Sequence, residues 1–117
     1  MSKFKIIYST TTHIAGTRHE SSDGRSRRYY VKKLNPGEKL ILEREPDNPK
    51  DKNAVKVLNK ERKLLGYIPR TIVRQMADYM DKGEKAAAVV KEVDYQPGTA
   101  CRCDIKAAIF RVKEEGE

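Results

Sequence analysis

The sequence predicts a mainly β fold, a small curled barrel of about six short strands with one helix inserted near residues 70–82. Three observations predict it. Short segments of alternating apolar and polar residues recur along the chain, punctuated by Pro, Gly and Asn turns. A run of helical spacing stands between the fourth and fifth of these segments, with Pro in front and Gly behind. The loop Pro46–Asn53 leaves one strand and enters the next with two prolines, two Asp and two Asn in eight residues. Small barrels of this kind often bind single-stranded nucleic acid.

Phe4, Ile6 and Tyr8 alternate with Lys3, Lys5 and Ile7, which predicts a first strand that runs on towards Ile14, Ala15 and Gly16. Arg18 to Arg28 is polar, has no apolar period and contains Gly24, so it reads as an exposed loop. Tyr29–Leu34 fits a short strand and a helical turn equally well. Asn35-Pro36-Gly37-Glu38 is a turn, Pro fixing one central position and Gly supplying positive φ at the next. Strands follow at Lys39–Arg44 and Ala54–Leu58, then a polar turn at Asn59–Lys63 and a strand at Leu64–Ile68.

Pro69 suits the first turn of a helix. Ile72, Val73, Met76, Ala77 and Met80 then fall on one helical face, and Lys82-Gly83 supplies a cationic end and a stop. The last two strands, about Ala86–Tyr95 and Cys101–Val112, flank a Gln96-Pro97-Gly98-Thr99 turn. The single domain of residues 1–117 has its core at about 4–112, and the acidic tail 113–117 is expected to fray.

Charged residues make up 36% of the chain, and 25 Lys and Arg against 17 Asp and Glu give a net charge of +8. Such an excess in a small domain favours a polyanionic partner, nucleic acid before membrane. No apolar run approaches the roughly 20 residues of a spanning helix, so no membrane partner is expected. The N-terminus has no long apolar stretch or small-residue cleavage site, which argues against secretion. The expected location is cytoplasmic, in association with the nucleoid, and the expected state is a monomer.

Cys101 and Cys103 are one residue apart and point the same way on a strand. A disulfide between them would stabilise little. The two histidines, His13 and His19, lack zinc-finger spacing. The plainer reading is an inward stripe of Cys101, Cys103, Ile105, Ala107 and Ile109. No cofactor is implied.

Three constellations carry candidate chemistry. The first is basic: Arg18, Arg25, Arg27, Arg28, Lys32 and Lys33 against Glu20 and Asp23 alone, interleaved with His19, Tyr29 and Tyr30. Guanidinium forks suit phosphate oxygens and rings suit bases, although a charge run also describes a solvated loop.

The second is the loop Pro46–Asn53, which has three readings. Asp47, Asn48 and Asp51 are suited to capping their own backbone as Asx-turns. Glu43, Glu45, Asp47 and Asp51 offer oxygens to a metal, but their spacing fits no calcium loop. As a ligand clamp, a carboxylate in a basic groove repels phosphate and makes sense only opposite a hydroxyl donor such as the end of a strand. The third is Tyr67 with Arg70, a strand aromatic beside a cation on the first turn of the helix. The serines all precede Arg27 and neither His has an evident carboxylate partner, so nucleophilic catalysis has little support.

The runs Ile14-Ala15-Gly16-Thr17-Arg18, Leu34-x-Pro36-Gly37-Glu38-x-Leu40, Arg44-Glu45-Pro46-Asp47-Asn48-Pro49-x-Asp51-x-Asn53-Ala54-Val55-x-Val57 and Leu65-Gly66-Tyr67-Ile68-Pro69-Arg70 strongly resemble the HIRAN domain family. The resemblance covers about Ile6 to Val112 and is most specific in the middle third. The family occurs within helicase-like transcription factor proteins and as stand-alone bacterial and phage chains. The resemblance implies an OB-like β-barrel with an added helix. It also implies that the domain holds the 3′ end of single-stranded DNA.

By position, Asp51 would then accept a hydrogen bond from the terminal 3′ hydroxyl, and Asn48 would shape or line the same pocket. Arg18 would approach a phosphate, Tyr67 and Arg70 would contact the terminal phosphodiesters, and Asn53 would brace the loop. His19 and Lys50 stand where the family's DNA-binding member has aromatic residues that sandwich the terminal base, and Lys50 can pair with phosphate instead. The expected function is therefore a non-catalytic DNA-binding module that recognises a free 3′ end in repair, replication or processing of DNA. The competing expectation is a protein-interaction adaptor that recruits a helicase or nuclease.

Overall fold

The computed structural model describes residues 3–21, 23–98 and 100–113. Its strands are β1 (Lys3–His13), β2 (Lys39–Arg44), β3 (Val55–Leu58), β4 (Leu64–Tyr67), β5 (Lys85–Gln96) and β6 (Ala100–Lys113), with helices α1 (Arg27–Val31) and α2 (Arg70–Asp81). All neighbouring strands pair antiparallel in one curled sheet, ordered β1-β6-β5-β2-β3-β4. The mainly β reading therefore holds. Thr99 of the predicted turn and the tail from Glu114 lie outside the described residues.

β5 and β6 form a long hairpin in register from Lys85↔Phe110 to Gln96↔Ala100, interrupted by a bulge between Val90 and Glu92. Along β6, Cys103, Ile105, Ala107 and Ile109 are fully buried while Arg102 and Lys106 are exposed, which is the expected inward stripe. Cys101 is half-buried at its end. This stripe packs with Val31, Val55, Val57, Leu65 and Met76 in one core. Side chains of this size stabilise a fold by about 1.5–3 kcal/mol each when fully buried.

The two edges of the sheet meet at a single point. Beyond β1, Ile14 N–H still donates to the Cys103 carbonyl (3.0 Å), and Ala15 then exchanges two backbone hydrogen bonds with Tyr67 of β4, at 2.8 and 2.9 Å. The barrel is thus closed by one bridge and not by a continuous ladder. Gly66 permits the approach: a Cβ there would lie 2.2 Å from the Ala15 carbonyl oxygen and 2.5 Å from a methyl of Ile14. Gly16, at φ +76°, then turns the chain away, so β1 ends at His13 and does not run on to Gly16.

A second helix, α1, joins the one expected. Ser26 caps it by accepting the Arg28 N–H (3.2 Å), and Val31 fills the core. Five residues are too few to display a helical period, which is why the pattern of Tyr29–Leu34 fits strand and helix alike. In α2, Val73, Met76 and Ala77 face the core, Pro69 precedes the first turn, and Gly83 at φ +94° ends the helix as its sequence predicts.

Candidate nucleic-acid interface

The loop between β2 and β3 is rigid for local reasons. Glu45 N–H donates to the Ala54 carbonyl (2.9 Å) and closes its base. Inside, Asn48 Oδ1 accepts from the backbone of Lys50 (2.8 Å) and Asp51 (3.1 Å), and Asp51 Oδ1 accepts from Asn53 N–H (2.9 Å). These are the Asx turns anticipated for Asn48 and Asp51, beside prolines whose φ is fixed. Arg44 ties the loop to α2: its guanidinium donates to the carbonyls of Ala54 (2.7 Å) and Lys52 (3.0 Å) and to both oxygens of Asp81.

The loop forms one wall of a cleft of about 470 Å³. Asn48, Lys50 and Asp51 line that wall, Tyr67 and Arg70 come from β4 and the start of α2, and His19 faces them from the turn after Gly16. Six residues singled out in the sequence are therefore brought together. Arg18 is not among the lining residues: it is exposed on the turn after Thr17. The Thr17 hydroxyl is buried and donates to the Cys101 carbonyl (3.2 Å), anchoring the turn from which Arg18 projects.

Two residues that hold the cleft together were not assigned to it from sequence. Arg27, on the first turn of α1, lines the cleft and lies over the Tyr67 ring, 5.4 Å from its centroid. Its Nη1 and Nε donate to the carbonyls of Gly16 (2.8 Å) and Glu20 (2.9 Å). Burial pulls the Arg27 pKa down from its ordinary value, and Tyr67 and Glu45 partly offset this. Glu45 Oε1 accepts from both the Tyr67 hydroxyl (2.8 Å) and Asn48 Nδ2 (2.6 Å), so one carboxylate orients two lining side chains. Burial and then the bond to Glu45 raise the Tyr67 pKa above its ordinary value.

The cleft is thus basic, with Arg27, Lys50 and Arg70 around one carboxylate, Asp51. Arg70 also donates to the Lys50 carbonyl (3.3 Å), and its position at the start of α2 adds the partial positive charge of a helix N-terminus. Tyr29 and Tyr30 do not line the cleft. They meet edge to face at 5.1 Å, Tyr30 is bonded to Asp23, and Tyr29 is ringed by Arg25 and Lys33. The basic run is therefore divided between two surfaces.

Among the described residues, no group of His, Cys, Asp or Glu is arranged to hold a metal ion. Glu43 is instead paired with Lys56 (3.1 Å) and Arg62, and Asp47 is exposed. Among the described residues, no helix is long and apolar enough to cross a membrane.

A family model described as the HIRAN domain matches residues 7–110. A rabbit helicase-like transcription factor (Oryctolagus cuniculus) is 38% identical over 88 residues, covering 75% of this chain and 8% of that protein. The chain thus spans less than a tenth of that relative's length. A solved protein from Lactobacillus plantarum superposes with a TM-score of 0.76 at 24% identity, over 94% of this chain and 98% of its own. An NMR structure of the HLTF HIRAN domain in its DNA-bound conformation superposes with a TM-score of 0.61 at 25% identity, over 92% of this chain and 78% of that one.

Proposed function

The chain belongs to the HIRAN domain family, and we propose that it is a non-catalytic module that binds single-stranded DNA at a free 3′ hydroxyl end. The observation that carries this reading is the place of Asp51. A lone carboxylate among Arg27, Lys50 and Arg70 repels a phosphate but welcomes a hydroxyl donor. Its Oδ1 is occupied by Asn53 N–H, and Oδ2 is the acceptor offered to the terminal sugar. The DNA-bound conformation of the HLTF HIRAN domain, a likeness in fold and sequence, supports the choice of ligand.

In this reading Asn48 shapes the pocket, Lys50 and Arg70 take the last phosphodiesters, and Tyr67, its hydroxyl donated to Glu45, walls the strand with its ring. The phosphate role expected of Arg18 passes to Arg27, whose Nε and Nη1 are held by two carbonyls, which leaves Nη2 to donate to a phosphate. His19 supplies one ring face for the terminal base, and stacking is typically worth about 1–3 kcal/mol per base. With Lys50 opposite, affinity leans on phosphate contacts and falls steeply with salt. Titration of the protein with a fluorescent single-stranded oligonucleotide at two salt concentrations tests this. Salt-dependent binding is expected, and no binding at low salt would overturn it. Cleavage of the same strand with magnesium or manganese present would contradict the non-catalytic role.

A second reading, an adaptor that docks on a helicase or nuclease, is favoured by a different surface. Phe4, Ile6 and Val112 are 67%, 48% and 46% exposed, and the cross-strand pairs Phe4↔Val112 and Ile6↔Phe110 put them on one face. Recovery of such an enzyme after nuclease treatment, by a protein that binds no oligonucleotide, would select this reading.

A further inference from the structure

The basic run that the cleft does not absorb forms a second surface on α1. Arg25 and Lys33 lie over the Tyr29 ring at 4.8 and 3.9 Å, and Lys32 approaches it at 5.6 Å. Lys32 also approaches the Tyr95 ring of β5 at 5.8 Å, beside Arg28 at 5.7 Å. Four cations thus share two tyrosine rings. Arg25, Lys32 and Lys33 are exposed, and none of the ion pairs among the described residues involves them. Asp23, two residues before Arg25, is taken by Tyr30 and by Lys63 at 3.5 Å.

The charges of Arg25, Lys32 and Lys33 have no ion-pair counterpart among the described residues. Their field is felt locally: the bond from Lys33 and the charges of Lys33 and Arg25 pull the Tyr29 phenol below its ordinary pKa. Holding these three like charges close together around two rings is unfavourable until a polyanion joins them. The rings give the side chains a fixed seat, so less freedom is lost when a phosphate arrives.

Position on the fold selects the polyanion. Arg27 on the first turn of α1 lines the cleft, whereas Arg28 and Tyr29 of the same helix, and Lys32 and Lys33 just after it, are not among the lining residues. The helix is therefore the rim of the cleft. A strand leaving the cleft over this rim meets the second surface after a path comparable with a helix diameter, about 10–12 Å. We propose that the α1 surface formed by Arg25, Arg28, Lys32 and Lys33 around Tyr29 and Tyr95 is a second nucleic-acid contact, gripping phosphodiesters of the strand inward from its end. It reads no terminus. The inference rests on the proposed function for its direction, but the surface itself needs only a phosphodiester chain.

The test compares the intact protein with Arg25→Gln/Lys32→Gln/Lys33→Gln on three probes. These are a linear oligothymidine of about 4 nucleotides, one of about 16, spanning the usual range for one small barrel, and a circular single strand with no ends. The intact protein should bind the long strand more tightly than the short one and should bind the circle. The variant should keep short-strand affinity, bind the long strand roughly tenfold more weakly and lose the circle. Its long-strand salt slope should fall by about 2, at roughly 0.7 per lost single-strand phosphate contact.

Unchanged long-strand and circle binding in the variant would overturn the proposal while leaving end recognition intact. Equal affinity of the intact protein for circle and line, both lost in the variant, would uphold the α1 surface and sink end recognition. Failure of the intact protein to bind any of the three would overturn both. Uniform loss on all probes, repeated in the milder Lys32→Gln/Lys33→Gln, would also overturn it. An acidic protein as the true occupant would appear as unchanged DNA binding in both variants.

Discussion

The Tyr67 hydroxyl donates to Glu45 Oε1 at 2.8 Å, joining the strand that closes the barrel to the loop that forms the cleft wall. The same oxygen receives Asn48 Nδ2, and Lys56 approaches the other at 3.8 Å. Because the phenol is a donor here, Tyr67 turns its ring, and not its hydroxyl proton, towards the cleft and towards Arg27. One carboxylate therefore sets the shape of the cleft wall and also helps to keep Arg27 charged.

Glu45→Ala should release Tyr67 and Asn48 together. A buried or half-buried donor left without its acceptor costs about 1–3 kcal/mol, so denaturant unfolding should show a loss of that order. Single-strand affinity should fall with it, since the wall loses its fixed geometry. Tyr67→Phe should be milder, because Glu45 keeps Asn48 and Lys56. Equal stability of Glu45→Ala and the parent protein would contradict this role.

Gly66→Ala should open the barrel seam. The new methyl would sit 2.2 Å from the Ala15 oxygen, a backbone atom that cannot move aside cheaply. Overpacking of this kind costs about 1–3 kcal/mol and at times more, and here it also strains the two Ala15–Tyr67 hydrogen bonds. Amide exchange should speed up at Ala15 and Tyr67 first. Unchanged protection at those amides would refute the seam.

Stability should decline on the alkaline side. Burial pushes the Cys103 thiol up to about 12, from an ordinary value of 9.0. A raised pKa in the folded state means that the unfolded chain releases its proton first. The contribution is complete below about 9 and is lost as pH climbs towards 12. The slope from one such group reaches at most about 1.4 kcal/mol per pH unit. Tyr67, also raised, acts in the same direction from a higher starting point. Thermal midpoints should therefore fall through this window, less steeply in Cys103→Ala. The same thiol should resist alkylation in the native protein at neutral pH.

Much of the fold was legible because its signals are local. Alternation marked the strands, Pro69 and Gly83 bracketed α2, and Asn48, Pro49 and Asp51 carry turn chemistry that needs no partner elsewhere. What sequence did not reveal depends on contacts distant in the chain. Arg27 joins the cleft only because α1 packs beside β4, and five residues of helix leave no period to read. Glu45 looked like a possible metal oxygen, whereas its role follows from Tyr67, 22 residues away. Arg18 stood in the right run of sequence, but the anchored Thr17 and the turn at Gly16 leave it off the cleft. The signal that would have favoured Arg27 is its place just inside a Ser-capped helix.

The central claim concerns one carboxylate and one hydroxyl. Fluorescence anisotropy with matched oligonucleotides ending in a 3′ hydroxyl or a 3′ phosphate, on the parent protein and on Asp51→Ala, addresses it directly. The parent should prefer the hydroxyl by roughly tenfold or more, since a hydrogen bond to a charged group contributes about 1.5–3 kcal/mol. Asp51→Ala should bind both ends alike, while Arg70→Ala should weaken both and keep the preference. Equal affinity of the parent protein for the two ends, or a preference that survives in Asp51→Ala, would contradict the account.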